Sequence, residues 1–160
     1  MMQRIETRAS MSVVQMGEGR TLSGIAVPYG QLSHVLHDRA RPYRERFERG
    51  ALNHTDGTVL LYGHDMQGVP LASVRGSTLA FTETDAGLAF SATLPESRAD
   101  ITEALQRGDL DGSVSIGFVA REDEWQNRTK PSIRTVRNAD LMELSIVMSG
   151  AYQNATGVLK

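Results

Sequence analysis

A mostly β domain (α+β), closed into a barrel with a few surrounding helices, is the fold class this sequence predicts, and three observations predict it. Apolar and polar residues alternate over a series of short stretches separated by Gly, Pro and Asp, the period of half-buried strands. Helical periodicity occurs once with conviction, just after Pro95. The chain is long enough, at 160 residues with 40% hydrophobic and 22% charged, to build one sizeable core. No internal repeat or low-complexity tract divides it, so residues 1–160 are read as a single domain.

The elements follow in order. Arg4 to Val27 alternates loosely around Gly17-Glu18-Gly19, a hairpin turn between two strands. The second of these, Thr21 to Val27, is stopped by Pro28. Gln31 to Arg41 is polar and basic and reads as a surface loop. Tyr43 to Arg49 suits a short helix or an extended segment equally well. Val59 to His64 is a strand, as are Leu71 to Val74, Ser77 to Glu83 and, after the turn Asp85-Ala86-Gly87, Leu88 to Leu94. The helix has Ser97 as expected N-cap with Asp100 three residues on, an Ile101, Ala104, Leu105 stripe, and Gly108 as its stop. Strands around Ser115 and Glu143 close the chain. Between them Arg121 to Thr135, with Trp125 and Pro131, reads as a polar loop.

Composition excludes several classes of function. The formal net charge of −2 provides no basic field for nucleic acid or anionic lipid. No apolar run approaches the ~20 residues that cross a bilayer, and the first residues lack the apolar core of a signal peptide. Zero cysteines remove disulfides, thiolate zinc sites and cysteine nucleophiles. A soluble cytoplasmic protein, binding neither nucleic acid nor membrane, is expected.

Three islands carry chemistry: Leu60 to Asp65, Gly112 to Phe118 and Leu141 to Val147. Each sets one reactive side chain among apolar neighbours: His64, Ser115 and Glu143. These are the parts of a nucleophile, a general base and the carboxylate that orients the base. Strand alternation puts Ser113 and Ser115 on one face, with Val114, Ile116 and Phe118 on the other. It groups Leu60, Tyr62 and His64. It also sets Glu143 with Ser145 and Val147, opposite Met142, Leu144, Ile146 and Met148. A carboxylate on so apolar a strand needs a partner, which an imidazole N–H supplies.

Plainer readings compete with each residue. Ser113 and Ser115 are also what a crowded strand accepts, and His64 could cap a turn or stack on Tyr62. Glu143 could pair with Arg134 or Arg137. His34 and His37 hint at a metal, but two histidines without a third ligand are a weak signal, and no cofactor or metal is expected. Backbone N–H groups near Gly117, or an arginine from the loop before Glu143, are the candidate oxyanion donors.

Taken in order, Gly24-Ile25-Ala26-Val27-Pro28-Tyr29, Glu45 to Leu52, the Leu60 to Asp65 strand, Asp85 to Phe90, Val114-Ser115-Ile116-Gly117-Phe118, and Glu143 to Val147 followed by Ala151-Tyr152 form a pattern. It resembles the HK97-type prohead (capsid maturation) serine proteases of tailed bacteriophages. The resemblance implies a fold similar to herpesvirus assemblin and a serine endopeptidase with Ser115, His64 and Glu143 at the family's serine, histidine and acidic positions. Ser113, usually a small residue in the family, is the alternate nucleophile. The implied substrates are the scaffold or the scaffolding segment of the major capsid protein, with self-cleavage also in view, inside the assembling prohead in the host bacterial cytoplasm. A homo-oligomer, in the simplest case a dimer, is expected by the same likeness. Ser149-Gly150-Ala151-Tyr152 departs from the family, which often has a proline before Ala-Tyr. Two other readings stay open: a catalytically silent capsid-assembly protein on the same fold, and a small β-barrel that binds a ligand through Trp125 and Tyr152.

Overall fold

The computed structural model describes residues 4–39 and 41–148, with residues 10–13 described by their backbone alone. It contains twelve strands: β1 (Glu6–Val13), β2 (Gln15–Met16), β3 (Thr21–Pro28), β4 (Leu36–Asp38), β5 (Arg41–Phe47), β6 (Leu52–Asn53), β7 (Val59–Tyr62), β8 (Ala72–Ser73), β9 (Leu79–Glu83), β10 (Gly87–Thr93), β11 (Ser113–Gln126) and β12 (Ser132–Ile146). A single helix, α1 (Ala99–Arg107), follows a 3-10 turn at Glu96–Arg98. The mostly β expectation holds among the described residues.

The spine of the molecule is the antiparallel hairpin of β11 and β12, paired from Val114 opposite Ile146 to Gln126 opposite Ile133. Arg121 to Thr135 is therefore not a loop; most of it is strand. Alternation failed to reveal this because the hairpin's far end leaves the core, and Arg121 to Glu124 are all exposed. Without a buried face, a strand has no period-two signature. The other edge of β12 is covered in succession by three short parallel partners, β5, β6 and β7. Tyr43 to Phe47 is extended, with Tyr43, Glu45 and Phe47 buried. The Gln31 to Arg41 segment contributes β4 and the start of β5.

The large sheet runs β1-β11-β12-β5-β4, with β6, β7 and β8 branching from the β12 side. It curls strongly but does not close, because its end strands β1 and β4 do not pair. That corrects the expected closed barrel. In place of a closing ladder, side chains span the concavity. Arg8 of β1 donates to Glu45 of β5 at 2.8 Å, although two strands lie between them in the sheet. Strands spaced ~4.8 Å apart would set these two roughly 14 Å apart in a flat sheet, so the contact is a measure of the curl.

A second sheet, β2-β3-β10-β9, closes over the concave side. Leu22, Ala26, Leu88, Phe90 and Ala92 meet Ile116, Phe118, Val136, Leu144 and Ile146 in one continuous core. Each large side chain buried there stabilises the fold by roughly 1.5–3 kcal/mol. The Gly17-Glu18-Gly19 turn joins β2 to β3 as expected, with the Gly17 N–H donating to Thr21 O at 2.8 Å. In α1, Ile101 is buried, Ala104 and Leu105 pack on the core, and Gly108 ends the helix in the left-handed region with φ 82°. The expected Ser97 cap is absent: Arg98 occupies the N-cap position without a side-chain cap. Asp100 instead accepts two hydrogen bonds from the Arg98 guanidinium.

Candidate active site

The core-facing side of β11 carries Val114, Ile116 and Phe118, which leaves Ser113, Ser115 and Gly117 on the opposite face. Across the ladder Ser115 faces Ser145, and Gly117 faces Glu143. All three islands meet on this face.

Glu143 reaches it through a β-bulge. Gly117 is opposite Glu143, but Phe118 is opposite Leu141, so Met142 is an extra residue in β12. Ala139 and Leu141 before it, and Leu144 and Ile146 after it, all belong to the core. An unbroken strand could not send both pairs inward; the bulge absorbs the extra residue and leaves Glu143 on the outer face. The expected grouping of Met142 on one face with Leu144 and Ile146 is accordingly corrected: Met142 is 37% exposed, while Leu144 and Ile146 are fully buried.

His64 arrives by a break of a different kind. In the parallel ladder Leu60 pairs with Leu144 and Tyr62 with Ile146, so Leu60 and Tyr62 face the core. Continued alternation would send His64 the same way. The strand stops at Tyr62 instead, and Gly63 and His64 both adopt positive φ, 62° and 60°. The Asp65 N–H donates to Tyr62 O at 3.2 Å, closing a tight turn that swings the imidazole to the Ser115 side. The grouping of His64 with Leu60 and Tyr62 is therefore corrected. A left-handed histidine costs about 1 kcal/mol, and hydrogen bonds surround it. Gly63 N–H donates to Ile146 O at 2.9 Å, and His64 N–H to Ser145 Oγ at 3.0 Å.

The resulting chain of contacts is continuous. Imidazole Nδ1 lies against Glu143 Oε1, and Nε2 is 2.9 Å from Ser115 Oγ. With the carboxylate able only to accept, the neutral imidazole satisfies both contacts by donating from Nδ1 and accepting the Ser115 hydroxyl proton at Nε2. The second carboxylate oxygen, Oε2, accepts from Ser145 Oγ–H at 2.6 Å. Ser115, Glu143 and Ser145 are buried, while the His64 side chain keeps 27% of its surface open. Ser113 lies one step along the same face, opposite Val13 of β1.

The competing partners for Glu143 are engaged elsewhere. Arg134 binds Glu6, Glu45 and Asp123, and Arg137 pairs with Glu124. Trp125 leans on Tyr43 with ring centroids 5.1 Å apart and covers the Arg41 guanidinium at 4.4 Å. Its indole N–H donates to Asp123. Tyr152 lies outside the described residues. Among the described residues no cluster of three or more His, Asp or Glu is placed to hold a metal, and no helix is long and apolar enough to cross a membrane.

Two contributors escape a reading by motif. Ser145 is noted only as a neighbour of Glu143, though its place two residues along the same face is the available signal. Gly117, a candidate oxyanion donor, is flanked in the sheet by Thr7 and Glu143. A Cβ there would lie 2.6 Å from Glu143 Oε1, so its role is to leave room for the carboxylate.

Residues 3–159 match the Caudovirus prohead serine protease family. The chain belongs to that family. Its members are phage serine proteases, hydrolases of capsid maturation, and membership implies capsid proteins as substrates. Comparison with curated proteins and with solved structures gives no match.

Proposed function

We propose that this prohead protease cleaves peptide bonds with Ser115 as nucleophile, His64 as general base and Glu143 as the orienting carboxylate. The observation that carries the reading is the unbroken hydrogen-bond chain from Glu143 through both imidazole nitrogens to Ser115 Oγ. As Oγ attacks the scissile carbonyl carbon, its proton passes to Nε2, and the imidazolium is stabilised by the buried carboxylate at Nδ1. The same proton then goes to the leaving amine, releasing one product and leaving an acyl-Ser115 ester. A water, deprotonated by His64, hydrolyses that ester and restores the serine. Arg134 and Arg137, tied into ion pairs elsewhere, are not assigned to the oxyanion.

The substrates are the scaffold or the scaffolding segment of the major capsid protein, with self-cleavage as a further outcome, and the place of action is the prohead assembling in the host cell. Family membership supports this assignment. The test is co-expression of wild type and Ser115→Ala with the capsid and scaffold proteins of the same phage, followed by intact-mass spectrometry. Trimming by the wild type alone is the expected result. Trimming by both would move the nucleophile away from Ser115, with Ser113 next to be changed.

A further inference from the structure

We infer that Ser145 is a positioning residue of the catalytic apparatus, holding the histidine and the carboxylate in one frame through a single hydroxyl. The inference rests on the Ser115, His64, Glu143 reading and extends it to a fourth side chain. Ser145 is fully buried one residue before the end of β12, between Ser115 of β11 and Leu61 of β7. Its Oγ accepts the backbone N–H of His64 at 3.0 Å and donates its own proton to Glu143 Oε2 at 2.6 Å.

Both contacts act on parts of the site that have freedom to lose. His64 sits at φ 60°, a conformation a non-glycine residue leaves when nothing holds it. Its amide has no strand partner, because β7 has ended at Tyr62; the Ser145 hydroxyl takes that role. Glu143 presents one oxygen to Nδ1, and a carboxylate fixed by one oxygen can still turn about its Cγ–Cδ bond. Fixing Oε2 as well sets the carboxylate plane, and with it the direction of the Nδ1 hydrogen bond. Backbone of the base and side chain of its partner are thus referenced to one atom, itself anchored on the strand next to the nucleophile. Misplacement on the scale of 1 Å in such a constellation lowers rates by about 100-fold.

The experiment uses a fluorophosphonate probe, from whose phosphorus the Ser115 oxygen displaces fluoride while His64 takes the hydroxyl proton. Labelling is followed by intact mass and mapped by peptide mass on wild type, Ser145→Ala and Ser145→Cys. The cysteine variant fills nearly the same space but replaces a strong donor and acceptor by a weak one. The expected result is a maximal labelling rate lowered about 10- to 100-fold in both variants, with the half-saturating probe concentration unchanged. The His64 Nδ1 proton resonance in the NMR spectrum should shift in both, while thermal midpoints show them folded. Wild-type labelling and an unmoved Nδ1 resonance in Ser145→Cys would reduce Ser145 to a packing residue and overturn the inference alone. A wild-type label that maps away from Ser115 would overturn the catalytic reading itself, and this inference with it.

Discussion

Space decides the site at the residue scale as much as reactivity does. Glu143 is 2% exposed, and the atoms that would meet a side chain at position 117 are its own: Oε1 at 2.6 Å, Cγ at 3.0 Å and Cδ at 3.1 Å. Gly117 has no positive φ, so alanine is acceptable to the backbone there, and the conflict lies wholly with the carboxylate. The far end of a flexible side chain could step aside on an open surface. Here Oε1 is committed to His64 and Oε2 to Ser145, so the carboxylate yields only by breaking one of those contacts. Gly117→Ala is therefore expected to remain folded, at a loss of about 1–3 kcal/mol, as overpacked sites do. Its fluorophosphonate labelling should slow by about 100-fold or more. Denaturant melts and labelling kinetics on the same samples separate the two effects; labelling at the wild-type rate would show that Glu143 tolerates the methyl.

At the scale of elements, the function is built where regular strands stop being regular. The strands themselves are legible in sequence, since β3, β7, β9 and β10 show alternation or bounded apolar runs between turn residues. Ser115 and Glu143 are recognisable for a related reason, each being a polar group where an apolar period continues. The parity of the faces is less legible. One extra residue at Met142 and two left-handed residues at Gly63 and His64 redirect the side chains that follow; Gly63 hints at the turn but not at where it sends His64, and no local composition marks the bulge. The far half of the β11–β12 hairpin is missed for the opposite reason: its β11 arm is exposed, and the residue that turns inward on β12 is the charged Arg134, so no apolar period forms. The bulge yields a sharp expectation. If Met142 is the extra residue, its side chain has left the core, and Met142→Lys should alter unfolding free energy by no more than about 0.5 kcal/mol. Leu144→Lys, two residues on and fully buried, should lose more than about 3 kcal/mol or fail to fold. Urea titrations of the two variants decide it: equal damage would mean that Met142 and Leu144 share the core face after all.

Across the whole molecule, an open curled sheet must be kept curled, and charge does part of that work. Arg8 and Glu6 of β1, Asp123 of β11, Arg134 of β12 and Glu45 of β5 form one ion-pair network spanning the concavity. Glu45 is 2% exposed and held by both arginines, so each arginine compensates a charge that burial alone would not permit. Glu6 reports on the network by titration. Burial disfavours its ionised form, but the Arg134 hydrogen bond and the charges of Arg134 and Arg8 outweigh this and hold its carboxyl below the ordinary range. A carboxyl whose folded pKa lies below its unfolded one, about 4.3, stabilises the fold above that pH. The contribution disappears as pH falls through the folded value. Glu6→Gln, which keeps the shape and removes the charge, should therefore be less stable than wild type at pH 7. The two should converge as the pH is lowered below about 4. Urea midpoints measured at intervals from neutral to acid pH would trace this. A gap of constant size across the series would mean that the ionised Glu6 contributes nothing to holding β1 against β12.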